Sequence, residues 1–152
     1  MSTQNTTQVV IERTFAAPRE LVYRAFTEAD QLSAWFGPVG WSVPRESVDV
    51  DVRVGGHQRF TMVNDSDPSQ TSPVDATFVE VVENELLVGQ ESFTMPGDSE
   101  PTLMTMRIEL SDAEGGGTLL TITQGPFSEE MADMTREGWG SSFTKLDVLL
   151  AD

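Results

Sequence analysis

GPFSEEMADMTREGWGSSFTKLDVLL, residues 125–150, decides the fold. After Gly125-Pro126-Phe127-Ser128 the run continues unbroken to Leu150 with helical spacing. At about 100° per residue, Phe127, Met131, Met134, Trp139, Phe143, Leu146, Leu149 and Leu150 fall on roughly half the circumference. Glu129, Asp133, Glu137, Thr144 and Asp147 take the other half. The centre of the apolar arc holds Thr135, Gly138 and Ser142, where a helix sealing a solid core would carry Leu or Ile. Small residues flanked by large ones mark either a helix lying over a hollow or one packed very closely on a neighbour.

The segment before this helix reads as strands. Thr118–Gln124 is the last of them, and Asp112 to Gly117 turns the chain into it. Thr102–Leu110 alternates cleanly, with Met104, Met106, Ile108 and Leu110 on one face. Val74–Val82 and Leu86–Met95 make a hairpin around Glu83-Asn84-Glu85. Asn64 to Pro73, rich in Asp, Ser and Pro, reads as a mobile loop. Val48, Val50, Val52 and Val54 alternate with Asp49, Asp51 and Arg53 as a half-buried strand. Gly55-Gly56 interrupts it at a turn or bulge, and His57 to Val63 continues beyond.

Nearer the start, Val9 to Phe15 is a first strand, with residues 1–8 a disordered or extended tail. Pro18 and Glu20 open a short helix that buries Leu21, Val22, Ala25 and Phe26. Thr27 caps a second, which ends at Trp35-Phe36-Gly37-Pro38. The order is therefore one strand, two short helices, about six strands in meander and one long helix, in a single α+β domain over residues 9–152. A meander of that length must curl or leave two bare edges. The curled antiparallel sheet of about seven strands then wraps the long C-terminal helix and encloses space against it.

The 152 residues are one domain's length, and their composition is that of an ordinary globular chain. Charge is the outlier: nine basic residues against 25 acidic ones give a net charge of −16. Such a surface repels phosphate backbones and anionic lipid, which argues against nucleic-acid and membrane partners. The chain has no cysteine, which excludes disulfides, thiol catalysis and thiolate metal sites. MSTQNTTQVV lacks the basic and apolar regions of a signal peptide, and no apolar run approaches a membrane span. The expectation is a cytoplasmic protein; its oligomeric state is not legible.

Five fragments then appear in order: Phe15-Ala16-Ala17-Pro18, Trp35-Phe36-Gly37-Pro38, Arg53-Val54-Gly55-Gly56, Gly117-Thr118 and Gly138-Trp139. Together they resemble the START-like, or SRPBCC, superfamily, and within it the subgroup related to the activator of the 90-kDa heat-shock chaperone's ATPase. The resemblance runs from about Val9 to Leu150. It implies a helix-grip fold with a cavity under the last helix, used across the superfamily for lipids, sterols, polyketides and other apolar molecules. Two departures stand out. The eukaryotic co-chaperone has an extra N-terminal domain that this sequence does not contain, so chaperone activation is not carried over. Asp75-Ala76 stands where a glycine often opens the corresponding strand.

The chemistry-bearing residues are sparse. His57 is the only histidine and can serve as a base or ligand, or be structural beside its Gly-Gly turn. With no second His, no Cys and no EF-hand spacing, no metal or other cofactor is expected. Asp49 and Asp51 share a strand face, either as paired carboxylates or as its wet side. No Ser sits in a nucleophile-elbow pattern, and Gly55-Gly56 lacks the downstream Lys of a phosphate loop. Arg59 and Arg107 can anchor a ligand carboxylate or pair with the surface acids.

The aromatic and methionine residues divide between core and pocket lining. The candidate ligand-binding set is Trp35, Phe36, Trp41, Phe60, Phe78, Phe93, Met104, Met106, Thr135, Gly138, Trp139 and Ser142, with Met95 beside them in sequence. Three functions follow. A carrier or sensor of a small apolar or amphipathic ligand comes first. An enzyme of the cyclase, dehydratase or hydrolase kind using the same cavity is the alternative. A chaperone-associated interaction module, for which the sequence itself offers no support, is the third.

Overall fold

The computed structural model describes residues 6–93 and 99–151. Strand β1 (Thr6–Phe15) leads into helices α1 (Arg19–Thr27) and α2 (Ala29–Trp35). Seven strands follow: β2 (Trp41–Ser42), β3 (Asp49–Val50), β4 (His57–Asn64), β5 (Asp67–Val82), β6 (Leu86–Phe93), β7 (Thr102–Asp112) and β8 (Thr118–Ser128). Helix α3 (Glu129–Leu150) closes the chain. Every pairing is antiparallel, in the order β1-β8-β7-β6-β5-β4-β2, with β3 also on β4. This is the α+β helix-grip architecture expected from the order of elements. Among the described residues no helix is long and apolar enough to cross a membrane.

Helix α3 starts where Ser128 Oγ accepts a hydrogen bond from Met131 N at 3.2 Å, while Glu129 and Glu130 occupy the positive end of the helix dipole. Its 22 residues span about 33 Å. Trp139, Phe143 and Leu146 are buried, together with Ala132 and Ser142. Trp139, Phe143 and Leu146 pack with Phe15 of β1 and Leu120 and Ile122 of β8, and Ala132 packs with Val9, Met104 and Phe127. Phe143 meets Phe15 edge-on at 5.4 Å between ring centres. Glu129, Asp133, Glu137 and Asp147 face solvent. Met134 does not follow the apolar arc: it is 65% exposed. The buried line of α3 runs through Ala132, Trp139, Phe143 and Leu146, and Met134 lies at the far edge of the arc, about 140° round from Trp139.

Three local expectations are corrected. The valine alternation at 48–54 pairs only at Asp49–Val50. Beyond it the chain is drawn into a closed turn, with Asp51 N donating to His57 O at 2.8 Å and Gly56 N to Arg53 O at 2.8 Å. A side chain at Gly56 would stand 2.1 Å from the Asp51 carbonyl, so only glycine closes that turn. Val54 is left 63% exposed.

The polar stretch after Asn64 is strand rather than mobile loop. Asp65-Ser66 makes a tight turn in which Ser66 N donates to Asn64 Oδ1 at 2.9 Å, and Thr71, Ser72 and Pro73 pair with Val63, Met62 and Thr61. Pairing of β5 with β6 begins only at Thr77, so Pro68 and Pro73 lie where β5 has one neighbour and their missing N–H groups cost no ladder bond. Thr27, finally, does not cap α2. Glu28 holds the cap position without a side-chain bond, and the Thr27 hydroxyl donates back to Tyr23 O at 2.8 Å.

Strand β8 runs four residues past the expected end, through Gly125 and Pro126. The register with β1 slips between Thr7 and Val9, and that bulge accommodates the proline. A side chain on Gly125 would lie 3.1 Å from Gln8 Cα and from Thr7 O, which is why glycine stands at the crossing. Of the expected N-terminal tail, Thr6–Gln8 belong to β1, and residues 1–5 lie outside the described residues.

Candidate functional site

Helix α3 lies close to β1, β8, α1 and α2 and stands off from β4–β7. The gap is a partly open cavity of about 240 Å³. That exceeds the ~150 Å³ of an engineered apolar cavity that takes up benzene. Its floor is the inner face of β4–β7, its roof is α3, and one end is closed by Phe36-Gly37-Pro38 after α2.

Both walls are thinned by small residues. On the sheet these are Ala76 and Gly89, and on the helix Thr135, Gly138 and Ser142. A side chain built on Gly138 would meet nothing within 4 Å. One added to Gly89 would make only ordinary contacts at 3.7 Å with Ala76 Cβ and Thr77 O. Of the two readings of the small stripe on α3, the hollow is therefore the one the geometry supports. Ala76, at the departure from the expected glycine, contributes a methyl group to the lining and no more.

Nine of the twelve candidate residues line this cavity: Phe36, Phe60, Phe78, Met104, Met106, Thr135, Gly138, Trp139 and Ser142. Trp35 does not. It is fully buried, stacked edge-on against Phe26 at 5.0 Å, with Nε1 donating to Ala25 O at 2.8 Å. That geometry makes it the pin between α1 and α2. Trp41 is also off the lining; its carbonyl accepts from Lys145 Nζ at 3.0 Å, tying β2 to α3. Burial holds the Lys145 ammonium below its ordinary pKa. Phe93 ends β6; its side chain, and Met95 as a whole, lie outside the described residues.

The lining also holds polar groups that sequence reasoning missed: Gln58, Gln90, Glu91 and Gln124. Gln124 Oε1 accepts from Trp139 Nε1 at 3.0 Å, fixing the indole over the cavity. Gln58 Nε2 donates to Phe26 O at 3.3 Å. Glu91 sits where β5 and β6 part, next after the Thr77–Gln90 pair, and its Oε2 accepts from Asp75 N at 2.7 Å. Burial raises its pKa above the ordinary carboxyl value, and the nearby Asp75 charge adds to this against the opposing backbone hydrogen bond. The signal available in the sequence was weak: Glu91 is one acid among 25, and only its register opposite Met104 places it on the inner face.

The other titratable candidates lie elsewhere. Arg59 pairs with Asp75 at 3.0 Å and Arg107 with Glu109 at 3.1 Å, all four side chains being at least two-fifths exposed at 53%, 69%, 44% and 45%, and neither arginine lines the cavity. Asp51 pairs with Arg53 at 2.7 Å and Asp49 approaches His57, with Nε2 and Oδ2 3.0 Å apart, so the two aspartates do not share a site. The His57–Asp49 approach lacks hydrogen-bond alignment. His57→Ala is accordingly expected to change stability by less than about 1 kcal/mol and to leave probe binding in the cavity intact, as measured by thermal denaturation and titration. Among the described residues no three His, Cys, Asp or Glu side chains converge in a metal-binding group.

The description "Activator of Hsp90 ATPase homolog 1-like protein" belongs to the family model that matches residues 16–151. Several solved structures are similar along nearly their whole length. A Chromobacterium violaceum protein is 24% identical with a TM-score of 0.81, covering 95% of this chain and 97% of that one. A Nitrosomonas europaea protein is 28% identical with a TM-score of 0.78, covering 95% and 94%. The AHSA1 protein from Silicibacter pomeroyi is 25% identical with a TM-score of 0.79, covering 95% and 98%. No curated protein matches the chain in sequence.

Proposed function

The chain belongs to the family of Activator of Hsp90 ATPase homolog 1-like proteins, and from that premise we propose that it binds one small apolar or amphipathic molecule between β4–β7 and α3, as a carrier or sensor. The observation that carries this reading is the thinning of both walls, at Gly138 on α3 and at Ala76 and Gly89 on the sheet, around a cavity lined by aromatic and methionine side chains. A chain selected only for a solid core would fill that space, because an empty apolar void forfeits contacts at about 1 kcal/mol per missing methyl. Phe36, Phe60 and Trp139 supply rigid faces, and Met62, Met104 and Met106 adapt to an irregular outline.

Binding is favoured over turnover because, among the described residues, the lining contains one ionisable group, Glu91. The Thr135 and Ser142 hydroxyls donate back to the helix carbonyls of Met131 and Gly138, so neither is set up as an activated nucleophile. The net charge of −16 directs the choice of partner toward neutral or cationic small molecules and away from phosphate backbones and anionic lipid.

Titration with the neutral dye Nile red tests the reading. Saturable one-to-one binding with blue-shifted emission, displaced by small aromatic alcohols, is the expected result. Emission that stays linear in protein concentration and resists displacement would refute it.

A further inference from the structure

Donors and acceptors around the cavity are unequal. Among the described residues the lining holds no Lys, Arg or His. Gln58 commits one of its two amide N–H groups to Phe26 O, and no described residue donates to its Oε1. The hydroxyl protons of Thr135 and Ser142 are spent on their own helix, leaving lone pairs toward the space. Gln90 Nε2 reaches Thr105 Oγ1 at 3.5 Å. Among the described residues Glu91 receives one hydrogen bond, on Oε2, and a carboxylate has about four acceptor sites. Against these acceptors stand only the N–H groups left on three glutamine amides among the described residues, both of Gln124 and one each of Gln58 and Gln90.

Position concentrates this excess. Gln58 is the partner of Ala76 on β4, and Glu91 follows the partner of Thr77 on β6. Gln58 therefore lies about 4.8 Å from the short Ala76 across the β4–β5 ladder, and Glu91 lies on the other side of Ala76 just past the end of the β5–β6 ladder, with Oε2 bonded to Asp75 N. Met104 stands opposite Glu91 on β7 and brings no charge. Gln58 and Glu91 thus stand on either side of Ala76 in an otherwise largely apolar sheet wall.

On the reading that this cavity binds a small molecule, we propose that its ligand is a protonated amine on an apolar body, with the ammonium held by Glu91 and Gln58 and the body under Trp139 and α3. An ammonium has three donors and no acceptor, the complement of this wall. Charge-assisted bonds to a carboxylate are about twice as strong as neutral ones, and Phe36, Phe60 and Trp139 line the space for the apolar body. Burial that already raises the Glu91 pKa would be offset by such a counter-charge. The whole-chain charge of −16 steers cations inward. A fatty acid or other carboxylate meets a like charge and no basic anchor.

The test is competition against Nile red by three compounds of one shape: 1-naphthylmethylamine, 1-naphthylmethanol and 1-naphthoate. The amine should displace the dye at a concentration at least ~10-fold below that of the alcohol, and the carboxylate should be weaker than both. Glu91→Gln keeps an acceptor for Asp75 N, so it should retain dye and alcohol affinity while the advantage of the amine disappears. Equal competition by amine and alcohol in the parent protein, or an amine preference that survives in Glu91→Gln, overturns the head-group assignment and leaves the pocket standing. Failure of Nile red itself to bind overturns the pocket reading, and this one with it.

Discussion

Gly138→Leu is expected to leave thermal stability unchanged or slightly raised while reducing Nile red affinity at least ~10-fold, because the new side chain occupies the space the ligand needs. A Cβ at this position meets nothing within 4 Å, so the side chain starts in open space and extends into the cavity that Gly138 lines. Replacing glycine inside a helix also recovers most of the ~1 kcal/mol that glycine costs relative to a good helix former. Two measurements on one variant, a melting curve and a dye titration, separate the alternatives. A loss of about 2 kcal/mol or more would mean that α3 sits down on the sheet and the leucine overpacks it. Unchanged dye binding would place the site elsewhere.

Trp35→Ala should behave in the opposite way and cost about 3–5 kcal/mol, the range for truncating a buried aromatic. Trp35 is fully buried, packs against Phe26 and Phe36 at 5.0 and 5.1 Å between ring centres, and donates to Ala25 O. Its loss opens a void between α1 and α2 and strips a hydrogen bond from the end of α1. Against a net stability of about 5–15 kcal/mol, that is enough to unfold a marginal chain under mild denaturant. Phe36→Ala, one residue on, should cost less stability and more dye affinity, because Phe36 is partly exposed and lines the cavity. Chemical denaturation of the two variants side by side checks the division; comparable losses of stability would erase it.

That pair of neighbours illustrates how far the sequence could be read. The aromatic pair at the end of α2 was visible as a cluster, but which ring faces the core depends on the angle at which α2 meets β4, and that angle is a tertiary property. The long helix was legible because its period and its polar face agree over six turns. Its hollow was legible because Thr135, Gly138 and Ser142 interrupt an otherwise large apolar face. Met134 misled for the same reason: helical spacing defines an arc, and only packing against β1 and β8 decides which part of the arc is buried.

The strands were readable where both faces differ, as in Thr102–Leu110. Reading failed where they do not. The stretch after Asn64 has side chains exposed from Asp65 to Thr71, so no alternation marks it, and its pairing is held by the backbone. Val48–Val54 alternated well but lost its last residues to a turn that needs Gly56 against the Asp51 carbonyl. Glu91 and Gln58 were illegible as site residues because register, not composition, puts them on the inner face.

Native mass spectrometry of the freshly purified protein tests the central claim most directly. One small molecule is expected to remain bound at one-to-one stoichiometry in gentle ionisation. It should be released on activation and be absent from Gly138→Leu prepared in parallel. A parent protein that flies at its bare mass, and stays there after incubation with excess 1-naphthylmethanol and with 1-naphthylmethylamine, would contradict the account.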